Sequence, residues 1–162
     1  MDSAQRRTKV FIHGLEGSSQ GVKASFFRGK YPDMLIEDYV GGFEERMAKL
    51  NATLADKENL ILVGSSLGGL MATVFACGRP EKIYRLILLA PALNYLPPEM
   101  CRDRRFDFPV ILYHGTHDDV VPSGPVREIA ARLFTDLAWH LVEDDHSLHE
   151  TFLGLPWDEL LS

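Results

Sequence analysis

The chain has 162 residues, 46% hydrophobic and 25% charged, a balance that fits one folded globular domain over residues 1–162 and excludes a disordered segment. Its 17 Lys and Arg against 23 Asp and Glu leave a net charge of -6, so the basic footprint that non-specific nucleic-acid binding needs is missing. No apolar run is long enough to span a bilayer, the first residues lack the apolar core of a signal peptide, and the only cysteines are Cys77 and Cys101. These features suggest a reduced, cytoplasmic protein with one core thiol and one loop thiol.

Taken in chain order, short apolar runs alternate with segments of helical period. Lys9-Val10-Phe11-Ile12 reads as a buried strand ending at His13-Gly14. Ser18 or Ser19 can cap a helix in which Val22, Phe26 and Phe27 share a face, closed by Gly29 and Pro32. Residues 34–40 supply a second strand, and Phe43, Met47, Leu50 and Leu54 then recur as a helical stripe. Residues 60–64 form a third strand and 67–77 a helix stopped by Gly78 and Pro80. Residues 86–90, 110–113 and 139–142 read as three more strands. Between the last two, Val126, Ile129, Ala130, Leu133 and Phe134 line one helix face. The closing stretch, 148–161, has helical character interrupted by Gly154 and Pro156.

Strands that are apolar throughout, alternating with helices, imply a parallel sheet buried on both faces. The expected fold is α/β: a three-layer sandwich with about six mainly parallel strands. In such sheets, sites form beyond the carboxyl ends of the strands. The residues of chemical interest all fall there.

The first of them is Ser66, at the apex of Gly64-Ser65-Ser66-Leu67-Gly68 between a strand and a helix. A serine hydroxyl is a poor nucleophile until it is held clear of the backbone beside a base and an oxyanion site, and the flanking glycines relieve crowding at such a turn. Ser65 lies off the apex and reads as a packing neighbour. Beyond the fifth strand comes His114-Gly115-Thr116-His117-Asp118-Asp119-Val120-Val121-Pro122, and beyond the sixth Glu143-Asp144-Asp145-His146-Ser147-Leu148-His149. Serine, acid and histidine thus follow in strand order.

On these residues the chain resembles the α/β-hydrolase family, and the resemblance runs over nearly the whole length. Gly64-x-Ser66-x-Gly68 resembles its nucleophile elbow, His13-Gly14-Leu15 its oxyanion loop, Gly115-x-x-Asp118-x-x-Val121-Pro122 its acid loop, and Asp145-His146-Ser147-Leu148 its histidine loop. The resemblance implies Ser66 as nucleophile, His146 as base and Asp118 as acid, with Leu15 and Leu67 N–H groups binding the oxyanion. The short opening 13–19 and the small size resemble, more narrowly, the bacterial YqiA-like esterases and thioesterases. The fold implied is a minimal α/β-hydrolase lacking the usual first strands and a large lid. The activity implied is hydrolysis of a small-molecule ester or acyl thioester through an acyl-enzyme, with no cofactor, no metal, no nucleic acid and no membrane span.

Alternatives stand beside each assignment. Asp119 can replace Asp118, His149 can replace His146, and Glu99 is the one acid in residues 91–100 after the fourth strand. His13 reads as a histidine bonded to loop backbone. His114, His117, Asp118 and Asp119 have metal-ligand chemistry but no third cluster to complete a site. Glu16 beside the oxyanion loop would disfavour anionic acyl groups if turned inward. Arg102, Arg104 and Arg105, expected near the site mouth, have the charge to attract a phosphate-bearing group such as coenzyme A. The same fold also serves non-catalytic ligand binding. A nucleotide-binding domain shares the strand, Gly-rich turn and helix, but 64–69 lacks both the Walker lysine and the middle glycine of a dinucleotide loop.

Overall fold

The computed structural model describes residues 6–162. Its elements, in chain order, are β1 (Thr8–Ile12), α1 (Val22–Lys30), β2 (Leu35–Ile36), α2 (Phe43–Leu54), β3 (Leu60–Ser65), α3 (Leu67–Gly78), β4 (Ile83–Leu89), β5 (Val110–Gly115), α4 (Ser123–Leu133), β6 (Leu137–Val142) and α5 (Trp157–Leu160). The six strands form one parallel sheet in the order β2-β1-β3-β4-β5-β6. Strand residues alternate between two cores. Val10, Leu62, Leu88 and Leu112 face α2, α3 and α4, whereas Phe11, Val63, Ile87 and Tyr113 face α1 and α5. The three-layer α/β sandwich expected from the uninterrupted apolar strands is the fold found.

The connection from β1 to β2 runs towards one edge and that from β3 to β4 towards the other. The topological switch point therefore lies between β1 and β3, and the crevice beyond it is where an open α/β sheet places ligands. Ser66 follows β3 and His13-Gly14-Leu15 follows β1.

Several expected boundaries differ, each for a local reason. The strand read over 34–40 shrinks to Leu35–Ile36, paired only with Val10 and Phe11. Beyond it the backbone turns to side-chain partners: the Tyr39 N–H donates to His13 Nε2 and Asp38 takes the Ser19 amide and hydroxyl. Ser19 is thus occupied elsewhere, and α1 starts at an N-cap glycine, Gly21, that makes no side-chain bond. Val22 is 80% exposed, so the buried face of α1 is carried by Ala24 and Phe27 instead. Phe134 terminates α4, and the closing stretch is a 3-10 turn at Phe152–Gly154 followed by the single turn of α5.

The segment between β4 and β5 corrects two further expectations. Parallel strands require the chain to return from the carboxyl edge of the sheet to its amino edge, and residues 90–109 make that return with only a short 3-10 turn, Leu93–Tyr95. Their course runs along α3, a 12-residue helix about 18 Å long, to its far end. There Cys101 and Cys77 form a disulfide with Cα atoms 5.6 Å apart, and Arg104 Nη1 donates to the Cys77 carbonyl at 2.9 Å. Cys77 and Cys101 are therefore not separate thiols. Arg104, held at the Cys77 carbonyl, and its neighbours Arg102 and Arg105 belong to the end of α3 opposite Ser66, not to the mouth of the site.

Candidate active site

The turn from β3 into α3 forces Ser66 into φ 56° and ψ -115°, a region that a residue with a Cβ occupies only under strain. Tight packing holds it there. A Cβ on Gly64 would lie 2.4 Å from the Gly68 carbonyl oxygen, and one on Gly68 only 2.0 Å from that of Ile12. The Ser66 N–H donates to Leu89 O at 2.9 Å, and the Ser66 carbonyl accepts from the Gly69, Leu70 and Ala92 N–H groups at 3.0, 3.2 and 3.0 Å. The backbone is pinned on both sides and the hydroxyl is left to face the crevice.

Three loops meet at that hydroxyl. Ser66 Oγ lies 3.0 Å from His146 Nε2, and His146 Nδ1 lies 2.7 Å from Asp118 Oδ2. A carboxylate only accepts, so Nδ1 carries the proton and bare Nε2 faces the serine. The Asp118 side chain is 1% exposed. Its Oδ1 accepts the Val120 and Val121 N–H groups at 2.9 and 2.7 Å. Asp119 is exposed, and His149 pairs instead with Asp145 at 2.6 Å on the surface. That pairing holds the Asp145 carboxyl below its usual range. The structure thus brings together Ser66, His146 and Asp118, and leaves Asp119 and His149 outside.

The histidine loop is built on a buried carboxylate absent from the list of candidate residues. Asp144 Oδ1 accepts the Asp145 N–H at 2.7 Å, and its Oδ2 accepts the Glu150 and Thr151 N–H groups at 3.0 and 2.8 Å. An aspartate that caps backbone donors a few residues downstream is a recognisable turn signal, here masked by the acidic run around it. Gly115 lets this loop close in, since a Cβ there would lie 2.3 Å from the Asp144 carbonyl oxygen. From α1, Lys23 Nζ donates to the Ser147 carbonyl at 2.7 Å. Burial pushes the Lys23 ammonium below its ordinary value, against the opposing charges of Asp145 and Asp144.

The 13–17 loop packs flush against the turn that carries Ser66. A Cβ on Gly14 would stand 3.2 Å from both the Ser65 carbonyl oxygen and Ser66 Cβ. His13 is buried, and its Nε2 accepts the Tyr39 N–H at 2.9 Å, so its proton resides on Nδ1 and donates to Gly14 O at 2.7 Å. The Gly17 N–H also donates to Gly14 O, at 3.1 Å. In a trans peptide the N–H opposes the carbonyl, so these two bonds fix the direction of the Leu15 N–H. Arg46, buried on α2, donates Nε to Gly41 O at 2.9 Å and Nη2 to Leu15 O at 3.4 Å. The Leu67 N–H opens α3, among the donors for which a helix has no internal acceptor. Glu16 is exposed.

His114 and His117 do not converge. His114 is fully buried, whereas the His117 side chain is 68% exposed and 3.9 Å from Glu143. Among the described residues no group of three or more His, Cys, Asp or Glu side chains is arranged to hold a metal ion. A groove of about 420 Å³ between α2 and α3, lined by Met47, Leu54, Phe75, Arg79 and Lys82, lies away from Ser66.

Solved structures of similar fold span most of the chain. Alpha/beta hydrolase domain-containing protein 10 from mouse is 22% identical with a TM-score of 0.76, over 95% of this chain and 89% of that one. Est1E from Butyrivibrio proteoclasticus is 17% identical with a TM-score of 0.71, over 88% and 81%. A monoacylglycerol lipase from Paleococcus ferrophilus is 17% identical with a TM-score of 0.65, over 85% of each. No curated protein matches the sequence significantly. The family model for serine aminopeptidase, S33, matches residues 16–101, just over half of the 162 residues, and that stretch carries the Gly64–Gly68 turn with Ser66. The chain is therefore a hydrolase-family protein of the α/β-hydrolase fold and belongs to the serine aminopeptidase S33 family.

Proposed function

We propose that the chain is a serine hydrolase that cleaves a carboxylic ester or thioester with a short to medium acyl group. The observation that carries this reading is the hydrogen-bonded line from Asp118 through His146 to Ser66, at 2.7 and 3.0 Å, ending on a strained turn. His146 Nε2 takes the proton as Ser66 Oγ attacks the carbonyl, and Asp118 holds the imidazole in its tautomer and stabilises the imidazolium. The Leu15 and Leu67 N–H groups receive the developing oxyanion, each worth about 3 kcal/mol in comparable sites. The alcohol or thiol leaves with the proton from His146. Water, activated by the same histidine, then releases the acid from the acyl-enzyme. These steps need only side chains, backbone and water.

The acyl preference rests on the rim. Leu15, Val40, Tyr95 and Val120 are each at least 60% exposed and sit on the loops beyond β1, β2, β4 and β5, around the crevice. The short 90–109 connection adds no large lid, which favours an open groove over an enclosed tunnel. With Arg104 held at the far end of α3, the arginines give no support to a coenzyme A contact. The narrower likeness to YqiA-like esterases and thioesterases agrees with this compact site. A cytoplasmic location loses one of its two grounds, because it leaned in part on Cys77 and Cys101 being free thiols, and disulfides persist chiefly in oxidising compartments.

The test is fluorophosphonate labelling of Ser66 together with turnover of p-nitrophenyl esters, acyl-coenzyme A thioesters and aminoacyl p-nitroanilides. The expected result is stoichiometric labelling and ester or thioester turnover, both lost in Ser66→Ala with the fold intact. Folded protein that neither labels nor turns over any substrate would instead be a non-catalytic binding protein. Turnover confined to the anilides would make it a peptidase.

A further inference from the structure

His114 sits on β5 with its side chain entirely buried. Its Nε2 lies 2.9 Å from the Val121 carbonyl oxygen and 3.2 Å from Asp118 Oδ2. Both neighbours are acceptors, so Nε2 bears the proton; it donates to the Val121 carbonyl with its polar edge beside Asp118 Oδ2, while Nδ1 is buried with no partner. A side chain chosen only to fill this space would be apolar and leave no orphaned nitrogen. Asp118 Oδ2 consequently has two imidazoles against it, His146 hydrogen-bonded at 2.7 Å and the protonated edge of His114 at 3.2 Å. One comes from the loop beyond β6 and the other from β5 within the sheet. Trp139, with its ring nearly parallel to that of His114 (13°) and 6.2 Å away, walls the imidazole in.

We propose that His114 is a positioning residue for the acid: its Nε2–H pins the acid loop at the Val121 carbonyl and sets a positive edge 3.2 Å from Asp118 Oδ2, which governs how tightly the carboxylate holds the His146 imidazolium. The inference rests on the Ser66–His146–Asp118 reading. An N–H donor edge beside the carboxylate stabilises its anionic form and weakens it as an acceptor for His146. Removing that donor strengthens the acid's hold on the imidazolium, so activity switches on at higher pH. The other titratable groups around the pair are Asp119 and His117 on the same loop, Asp144 and Asp145 on the histidine loop, and Arg127 of α4, whose guanidinium lies over the Trp139 ring. They are unchanged in the variants below.

The experiment is the pH profile of kcat/KM for a p-nitrophenyl ester, normalised to sites titrated by fluorophosphonate, in wild type, His114→Gln and His114→Met. Glutamine places an amide N–H at the reach of Nε2, and methionine fills the volume without a donor. The glutamine variant is expected to keep the acidic limb in place. The methionine variant is expected to move that limb up by about half a pH unit or more and to lower kcat by about tenfold at unchanged KM. A methionine variant that titrates fully and keeps the wild-type limb and kcat overturns the proposal. So does an equal loss in both variants with the limb unmoved, which is the mark of a space-filling role. Imidazole ¹H–¹⁵N spectra of the wild type decide independently of activity: His114 must show the Nε2–H tautomer, and an Nδ1–H tautomer overturns the proposal. Wild-type protein that never labels would count against the hydrolase reading, and the spectra would still decide the tautomer.

Discussion

Gly68 and Ile12 approach so closely that a Cβ on the glycine would stand 2.0 Å from the Ile12 carbonyl oxygen. This approach sets the first turn of α3 against the end of β1 and so fixes the distance between the Ser66 turn and the 13–15 loop. Gly68→Ala is expected to cost about 2–3 kcal/mol, an overpacking penalty, and to cut turnover sharply. Gly78→Ala at the other end of the same helix meets nothing within 4 Å and is expected to be neutral or to stabilise by up to about 1 kcal/mol. Urea denaturation of the two variants checks the contrast.

Ser66 holds a positive φ of 56° in the folded protein. Ser66→Gly is expected to abolish turnover and yet unfold at a higher temperature than Ser66→Ala. Both lose the hydroxyl, but only glycine relieves backbone strain worth about 1–3 kcal/mol. Glycine's looser unfolded chain offsets roughly 0.5–1 kcal/mol of that gain. Equal melting temperatures would mean the turn is not strained.

His13 touches neither Oγ nor His146. It carries a bond from the Tyr39 N–H to Gly14 O and so aims the Leu15 N–H. His13→Ala is therefore expected to lower kcat by about 10²-fold at nearly constant KM, since a small misplacement of a transition-state donor has that scale. Steady-state kinetics on one ester gives the split between kcat and KM.

Asp38 ties the loop after β1 to the segment after β2 by accepting the Ser19 amide and hydroxyl at 2.6 and 2.9 Å. The Ser19 backbone bond, then its hydroxyl bond, hold the Asp38 carboxyl below its ordinary value. A depressed carboxyl contributes stability that is fully present above the unfolded value of about 3.9 and is lost as pH falls through the folded one. Asp38→Asn is expected to be less stable than wild type at pH 7, with the gap closing below about pH 4. Denaturant midpoints at pH 7 and pH 3 test the sign.

The disulfide links positions 24 residues apart. Cys77→Ser/Cys101→Ser is expected to lose about 3.5 kcal/mol, the chain-entropy value for a loop of that size. It should keep most of its kcat, because the bridge lies at the end of α3 away from Ser66. A large kcat loss at a temperature where the variant is folded would show that the bridge is coupled to the site through the 90–109 segment, whose Ala92 N–H holds the Ser66 carbonyl.

The parallel three-layer architecture was legible because its central strands carry uninterrupted apolar runs such as residues 60–63, the mark of a sheet covered on both faces. The serine, acid and histidine were legible because each follows a strand, and parallel strands bring all their carboxyl ends to one edge. Strand β2 was overread because its later residues spend their polar groups on His13 and Ser19, partners distant in sequence. The disulfide was missed, and the arginines misplaced, because the return of residues 90–109 along α3 is a feature of path, not of composition.

Residue type and order by themselves determined the fold class, the turn that holds Ser66, and the short list of Asp118 or Asp119 and His146 or His149. Only the tertiary structure decided between them. Adjacent acids and histidines have the same chemistry, and what separates them is direction: Asp118 is turned inward by the Val120 and Val121 N–H groups, while Asp145 holds His149 at the surface. It also placed His114 on the same carboxylate oxygen as His146, a contact made across the loop beyond β5 that no spacing announces.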